Sequence, residues 1–433
     1  MNDAIKMLKE LTEKSEGLLK RLDRIGKFGS KYNVFPYQEV GKLISEMNEL
    51  ADSISYIETP ENQEQLIQSE LKRRLNGEAF SLEQRVTPRL YNFDIVVSMF
   101  GIPKSDIDGL RGWLLANRSE TLNTIERLYQ TKDIKNYELG LPVDIPSVKR
   151  QAEEFAAVHI QKYHKRLGKL LQDLTQVGGF LREINAVPTT EGRSYFQPLT
   201  NTLAISIPAI CFTTEDGSLQ IRERDLITLY GHEGMGHALN QVITKSNGLP
   251  YFLTKDTVIT NATMDSVSQF YQNVILEDLK NSPGAQKDLG IQHKFDEIYQ
   301  EAKDIAQLQG YQLKLFQYAI TVLANKELGQ PQDTDTLKKK VDLLCEVTLD
   351  PTQPLHFVEQ HRYDFDSQGN LNPQLVSELR YVAQPVQRAL EEFAKQGIKY
   401  DGNGRSKIDA TLLKGFWTPI GYVNNARLRA QEK

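Results

Sequence analysis

Apolar residues recur every three or four positions along most of the chain. This spacing predicts helices over residues 1–27, 36–57, 62–76, 105–130 and 147–174, each bounded by Pro, Gly or Asn. In the first of them Ile5, Leu8, Leu11, Leu18 and Leu22 fall near one face. The period changes at residue 194. In "SYFQPLTNTLAISIPAICFTTEDGSLQ" (194–220) Leu203, Ile205 and Ile207 alternate, β-branched residues are frequent, and Asp216-Gly217 supplies a turn. A short sheet or hairpin is expected there. Helical spacing resumes in "RERDLITLYGHEGMGHALNQVITKSNG", which runs to a C-cap at Asn247-Gly248 ahead of Pro250. A further long helix begins near Thr263, and later ones cover about 294–327, 334–347 and 373–396. The pattern describes a mainly α protein with a small β-sheet preceding a helix that carries a His-Glu pair. Without repeats or low-complexity linkers, the shift near 194 is the one candidate boundary. It divides an N-terminal helical region (1–193) from a region bearing the chemistry (194–433), although the two can form one continuous helical unit.

Composition adds constraints. A chain of 433 residues, 39% hydrophobic and 25% charged, is in the range of an ordinary globular protein with a large core. Its net charge of −5 is small for this size, so no nucleic-acid or membrane partner is expected. The only cysteines are Cys211 and Cys345, which argues against a disulfide framework and suits a reducing compartment. The first 29 residues lack an apolar core and a cleavage signal, and no window approaches 18 uninterrupted apolar residues. A cytoplasmic location is the expectation.

The chemistry centres on "YGHEGMGHALN" (230–240). In H-E-x-x-H the histidines are four apart, about 40° from each other on a helix, and can share a metal ion; five apart they diverge by about 140°. Here His232 and His237 are five apart. One inserted residue can be absorbed as a π-bulge. Gly234 and Gly236 would permit it, each at a cost close to 1 kcal/mol in a helix interior. With that bulge, His232 and His237 become zinc ligands and Glu233 the general base beside them. A third protein ligand is still required.

The H-E-x-x-G-H arrangement resembles that of dipeptidyl-peptidase III, where the same spacing forms a zinc site. The longer stretch "HALNQVITKSNGLPYFLTKDTVITNATMDSVSQFYQN" is similar to a family of mostly helical zinc peptidases catalogued as domain of unknown function 885. In that family the His-Glu helix continues as G-H-H-L-Q, passes a G-L-P-x-F loop and reaches E-G-W-A-L-Y, whose glutamate is the third ligand. This chain has Gly236-His237-Ala238-Leu239-Asn240, Gly248-Leu249-Pro250-Tyr251-Phe252 and Asp265-Ser266-Val267-Ser268-Gln269-Phe270-Tyr271. The match puts Asp265 in the glutamate's place. Thimet oligopeptidases have a similar layout, with a glutamate shortly before Ser-Gln. The segment "ELRYVAQPVQRAL" (378–390) resembles the family's R-Y-x-x-x-P-x-Q-A and supplies Arg380, Tyr381, Pro385 and Gln387. The likeness covers roughly residues 195–395. It departs from the family in the shorter spacer between histidines, in aspartate for glutamate, and in lacking a D-x-G-x-H segment before Arg380.

The resemblance implies a helical, two-lobed, zincin-like metallopeptidase of the gluzincin type. One Zn²⁺ would be held by His232, His237 and Asp265, with Tyr381 and Arg380 assisting the oxyanion and oligopeptides as substrates. Glu277 is the rival third ligand; twelve residues beyond Asp265, about 18 Å along a helix, it excludes Asp265 if it reaches the ion. The strand before the motif is expected to offer an edge to an extended peptide. A catalytically inactive helical scaffold and a zinc amidohydrolase acting on a non-peptide substrate are the alternatives.

Other histidine and acidic clusters read as structural. His356 and His361 are five apart around Glu359 and are expected in core or loop. His159 and His164 lie on a basic helix. "DFDSQGNLNPQL" (364–375) ends in Leu375 where a calcium loop needs glutamate. "DGNGRS" (401–406) lacks a strand-to-helix context for phosphate. "GFWTPIGY" (415–422) is expected to cover core, with Tyr422 a candidate for lining a cleft.

Overall fold

A computed structural model describes residues 9–22, 37–86, 92–130, 146–328, 333–361 and 384–432, apart from a few single positions within these ranges. The protein is mainly helical. The principal helices before the sheet are α1 (residues 9–22), α2 (Tyr37–Asp52), α3 (Gln63–Val86), α4 (Leu110–Gln130) and α5 (Pro146–Leu174). In α2 the buried residues Val40, Leu43, Met47 and Ala51 form the stripe that the 3.6-residue period requires. α3 runs past the Asn76-Gly77 pair where a stop was expected, because Ala79 and Leu82 extend its buried stripe and packing overrides the local breaker. The helix expected over 105–130 is interrupted at Gly109, which separates Lys104–Asp108 from α4.

A 3₁₀ segment, Gln176–Glu183, leads into a three-stranded sheet of β1 (Asn185–Thr189), β2 (Tyr195–Gln197) and β3 (Thr202–Ser206) in the order β1-β3-β2. β3 pairs parallel with β1 and antiparallel with β2, so Ala204 stands opposite both Val187 and Tyr195. The expected alternating strand is thus the central one, buried at Leu203, Ala204, Ile205 and Ser206, and the edge available near the motif is β2. β1 lies before the expected start of the sheet. Its Pro188 cannot donate to a ladder and argues against a strand, which is tolerable because β1 is itself an edge. A hairpin of β4 (Cys211–Thr213) and β5 (Leu219–Ile221) follows, turning at Gly217 with φ 80°. There the Asp216 carboxylate accepts from the Ser218 amide at 3.1 Å.

α6 (Glu223–Leu229) then passes directly into a π-helical segment, Tyr230–Leu239, and on into α7 (Asn240–Ser246). The principal helices that follow are α8 (Asn261–Lys280), α9 (Phe295–Ala324), α10 (Thr334–Cys345), α11 (Pro385–Lys395), α12 (Gly402–Leu412) and α13 (Pro419–Gln431). The turn at "DGNGRS" therefore opens a helix. No helix among the described residues is long and apolar enough to cross a membrane.

Two apolar clusters organise these elements. The larger unites α2, α3, α5, the sheet, the π segment, α8, α11 and α13. The smaller gathers Val96, Phe100, Leu114, Leu344 and Val358 around the second half of α9. α9 belongs to both: Phe295, Ile298 and Ala302 join the first cluster, and Tyr311, Leu315 and Ile320 the second. α8 is pinned to α12 by a buried polar network. The Tyr271 hydroxyl donates to Asp409 at 2.6 Å, and Arg405 binds both carboxylate oxygens of Asp278, at 2.5 and 2.8 Å. Removing one partner of such a network strands a buried charge.

The antiparallel contact between the π segment and α8 depends on glycine. A Cβ on Gly236 would lie 2.3 Å from the Ser268 Cα, and one on Gly231 would lie 2.9 Å from the Gln272 Cα. These are backbone collisions that no rotamer change relieves. Gly41, on the exposed face of α2, has nothing within 4 Å. Gly236→Ala is expected to cost about 1–3 kcal/mol by overpacking, whereas Gly41→Ala should gain up to about 1 kcal/mol from helix propensity. Thermal and urea unfolding of the two variants measures this opposition in sign.

Candidate metal centre

In the π segment each turn takes up one residue more than in an α-helix, so positions five apart occupy the relation that positions four apart hold in α geometry. Gly231 and Gly236 share the face turned to α8, and His232 and His237 share the face next to it. Opposite them Asp265, Ser268 and Gln272 recur at intervals of three and four along α8 and also share one face. The antiparallel register brings His237 to Asp265 and His232 to Gln272.

The imidazole rings of His232 and His237 are 5.2 Å apart between centroids, inclined at 67°. His237 Nε2 lies 3.6 Å from Asp265 Oδ1. One ligand atom from each of His232, His237 and Asp265 lies within 4.8 Å of the other two. A tetrahedral zinc ion at 2.0–2.2 Å from its ligands separates them by roughly 3.3–3.6 Å. The His237–Asp265 separation matches that spacing and the other two are at most 4.8 Å, and the two-imidazole, one-carboxylate donor set suits the ion.

Protonation also suits a cation. Burial lowers the pKa of His232, opposed by Asp265 and by a hydrogen bond with Gln272. Burial also lowers His237, to about 4, and the neighbouring His232 adds to the effect while Asp265 opposes it. Both rings are therefore neutral at pH 7, with lone pairs free to ligate. Gln272 holds His232 from outside the cluster, as the outer partner of a ligating histidine does. Glu233 is half-buried, and its pKa is raised to about 7 by burial and by the Asp265 carboxylate, with Arg193 pulling it down.

Glu233 stands where two cavities meet. One, of about 520 Å³, is lined by His232, Glu233, Gln272, Arg193 and Arg224, and by α9 residues from Ala302 to Leu313. It lies beside the helix shared by the two apolar clusters. The other, of about 280 Å³, is lined by Glu233, His237, Arg193, the β2 residues Tyr195 and Phe196, Met264 and Phe416. A third cavity of about 610 Å³ shares Gln269, Asn273, Gly310 and Leu313 with the first and continues it toward Lys314 and Gln317. An open trough thus passes the cluster, with amide side chains on one side and a recess of mixed polar and aromatic lining beside β2 on the other.

Of the residues singled out in the sequence, the structure brings together His232, Glu233, His237 and Asp265. Glu277 is engaged elsewhere, accepting from the Tyr299 hydroxyl at 2.6 Å and pairing with Lys303 at 2.9 Å. Arg380 and Tyr381 lie outside the described residues, as does the 364–375 segment. His356 and His361 lie on a regular α-helix, Gln353–His361, where their five-residue spacing separates them; His356 is exposed and His361 packs on Phe316 and Phe357. His159 packs on Phe155, and His164 Nδ1 lies 3.1 Å from the Tyr230 hydroxyl. Tyr422 does not line a cleft: it is buried and donates to the Leu412 carbonyl at 3.2 Å. Sequence reasoning missed Gln272 and Arg193. Gln272 follows Asp265 by two helical turns and was detectable by period, whereas Arg193 sits in a loop with no motif. Gly236, expected to permit the π distortion, lies in the π segment and in addition allows the close approach to α8.

No family model, no curated protein and no solved structure matches this chain. The assignment of chemistry therefore stands on the geometry of the cluster. Purified protein is expected to bind one divalent ion with zinc preferred, to lose it in His232→Ala, and to hold it about 10–100-fold more weakly in Gln272→Leu. Metal analysis with chelator competition reads both effects.

Proposed function

We propose that the protein is a zinc-dependent hydrolase of the gluzincin type that cleaves oligopeptides. The observation carrying this reading is the convergence of His232, His237 and Asp265 beside Glu233 on the wall of an open trough. When bound, zinc supplies Lewis acidity that lowers the pKa of water and polarises a carbonyl. Glu233 accepts the proton of the attacking water and delivers it to the leaving amine. Its raised pKa makes the carboxylate a stronger base than an exposed glutamate, and the carboxylic acid a competent proton donor. Arg193, facing Glu233 in both cavities, supplies positive charge beside the reacting carbonyl. Tyr381 and Arg380 keep the oxyanion role that the family likeness gives them.

A peptide is favoured over a compact substrate by β2. Among the described residues this strand has β3 on one side only, and its Tyr195 and Phe196 line the recess beside His237. An extended chain can add to that ladder while passing the cluster. The trough runs along α9, the helix that both apolar clusters share, and an open groove of this kind would admit short peptides better than folded proteins.

Glu233→Gln is expected to retain zinc while kcat/KM on a peptide library falls by about 10²–10⁴-fold. Chelation should abolish cleavage and added zinc restore it. Because Glu233 acts as its carboxylate and a neighbouring cation would bring its raised pKa back down, kcat/KM should rise with pH along an acid limb centred at or below about 7. Equal cleavage by wild type and Glu233→Gln would remove the reading.

A further inference from the structure

A cavity of different character, about 500 Å³, shares no lining residue with the trough. One wall is α5, where Lys165, Lys169 and Gln172 succeed one another on a single face with Arg166 beside them. The facing wall is the 3₁₀ segment, which contributes Arg182. The hollow deepens at Gly168: a Cβ there would meet only the Tyr230 hydroxyl, at 4.0 Å. His164 closes one side and is already fixed by Tyr230.

Four basic side chains line this space and, among the described residues, no carboxylate does, in a chain whose net charge is −5. Arg166 is engaged by Asp288 at 2.8 Å, and Arg182 donates to Gln172 at 2.7 Å. Among the described residues no hydrogen bond or ion pair engages the ammonium group of Lys165 or Lys169. Like charges one turn apart repel, and a concave wall of single sign focuses its field on an anion. Point-charge lysines facing a planar guanidinium donor suit phosphate oxygens. The volume accommodates a small molecule rather than a single ion.

We propose that this cavity binds a polyphosphorylated small molecule, its phosphates held between Lys165 and Lys169 on α5 and Arg182 opposite. The proposal is independent of the metal centre. Calorimetric titration of the full chain with pyrophosphate and with ATP tests it, at about 0.15 M ionic strength and after chelation so that metal capture adds no heat. Saturable binding is expected, weakened about tenfold or more by Lys165→Ala/Lys169→Ala and by Arg182→Ala. The exposed pair Lys338→Ala/Lys339→Ala should leave it unchanged. Equal affinity for both probes means the phosphates alone are read; tighter ATP means the remaining volume takes the nucleoside. Absence of saturable binding, equal weakening in the control pair, or preference for a single-stranded oligonucleotide over ATP would overturn the proposal. All variants are exposed substitutions whose unfolding midpoints should match the parent.

Discussion

The close approach of the π segment to α8 is the constraint on which the site depends. Gly231 and Gly236 bring backbone against backbone, and the residues that follow each of them are the two histidines. Glycine pair and histidine pair have the same five-residue spacing, so one helical geometry serves both. In a regular α-helix the glycines would splay by about 140°, only one could meet α8, and the imidazoles would separate likewise. The extra residue in the motif is thus matched to the packing. His356 and His361 show the other outcome, since the same spacing on an ordinary helix leaves one ring in solvent and the other among phenylalanines.

Electrostatics follow from that contact. Packing against α8 partly buries two imidazoles and sets them beside Asp265, while Glu233 stands close enough to feel the same carboxylate. Without a cation this grouping is costly: neutral bases and two mutually repelling acids sit in a partly dry wall. A divalent ion offsets the cost, because it takes the lone pairs of His232 and His237 and the charge of Asp265 while favouring the ionised form of Glu233. The network joining Tyr271 and Asp278 to α12 holds the opposing helix in place.

Most helices were legible in the sequence because their buried stripes are long and regular, as in α2 and α5. The elements read less well were those where context decided. Pro188 hid β1, the three residues of β2 are too few to show alternation, and Gly77 was outweighed by the apolar stripe on either side of it. His232, Glu233, His237 and Asp265 could be named from spacing and likeness. What the sequence also contained was the interleaved glycine pair, whose shared five-residue period is the signature of π packing. Arg193 left no trace, since a loop residue acquires its role only when β1 and β2 are brought beside the motif.

Two imidazoles on a π-helical turn and one aspartate from the neighbouring helix are placed to share a cation. X-ray absorption at the zinc edge of zinc-loaded protein tests this most directly. Two imidazole nitrogens and oxygen donors at about 2.0–2.2 Å are expected around the ion, with no such shell formed by a His237→Ala protein given one equivalent of zinc. A sulfur shell, six water-like oxygens or a single imidazole in the parent protein would contradict it.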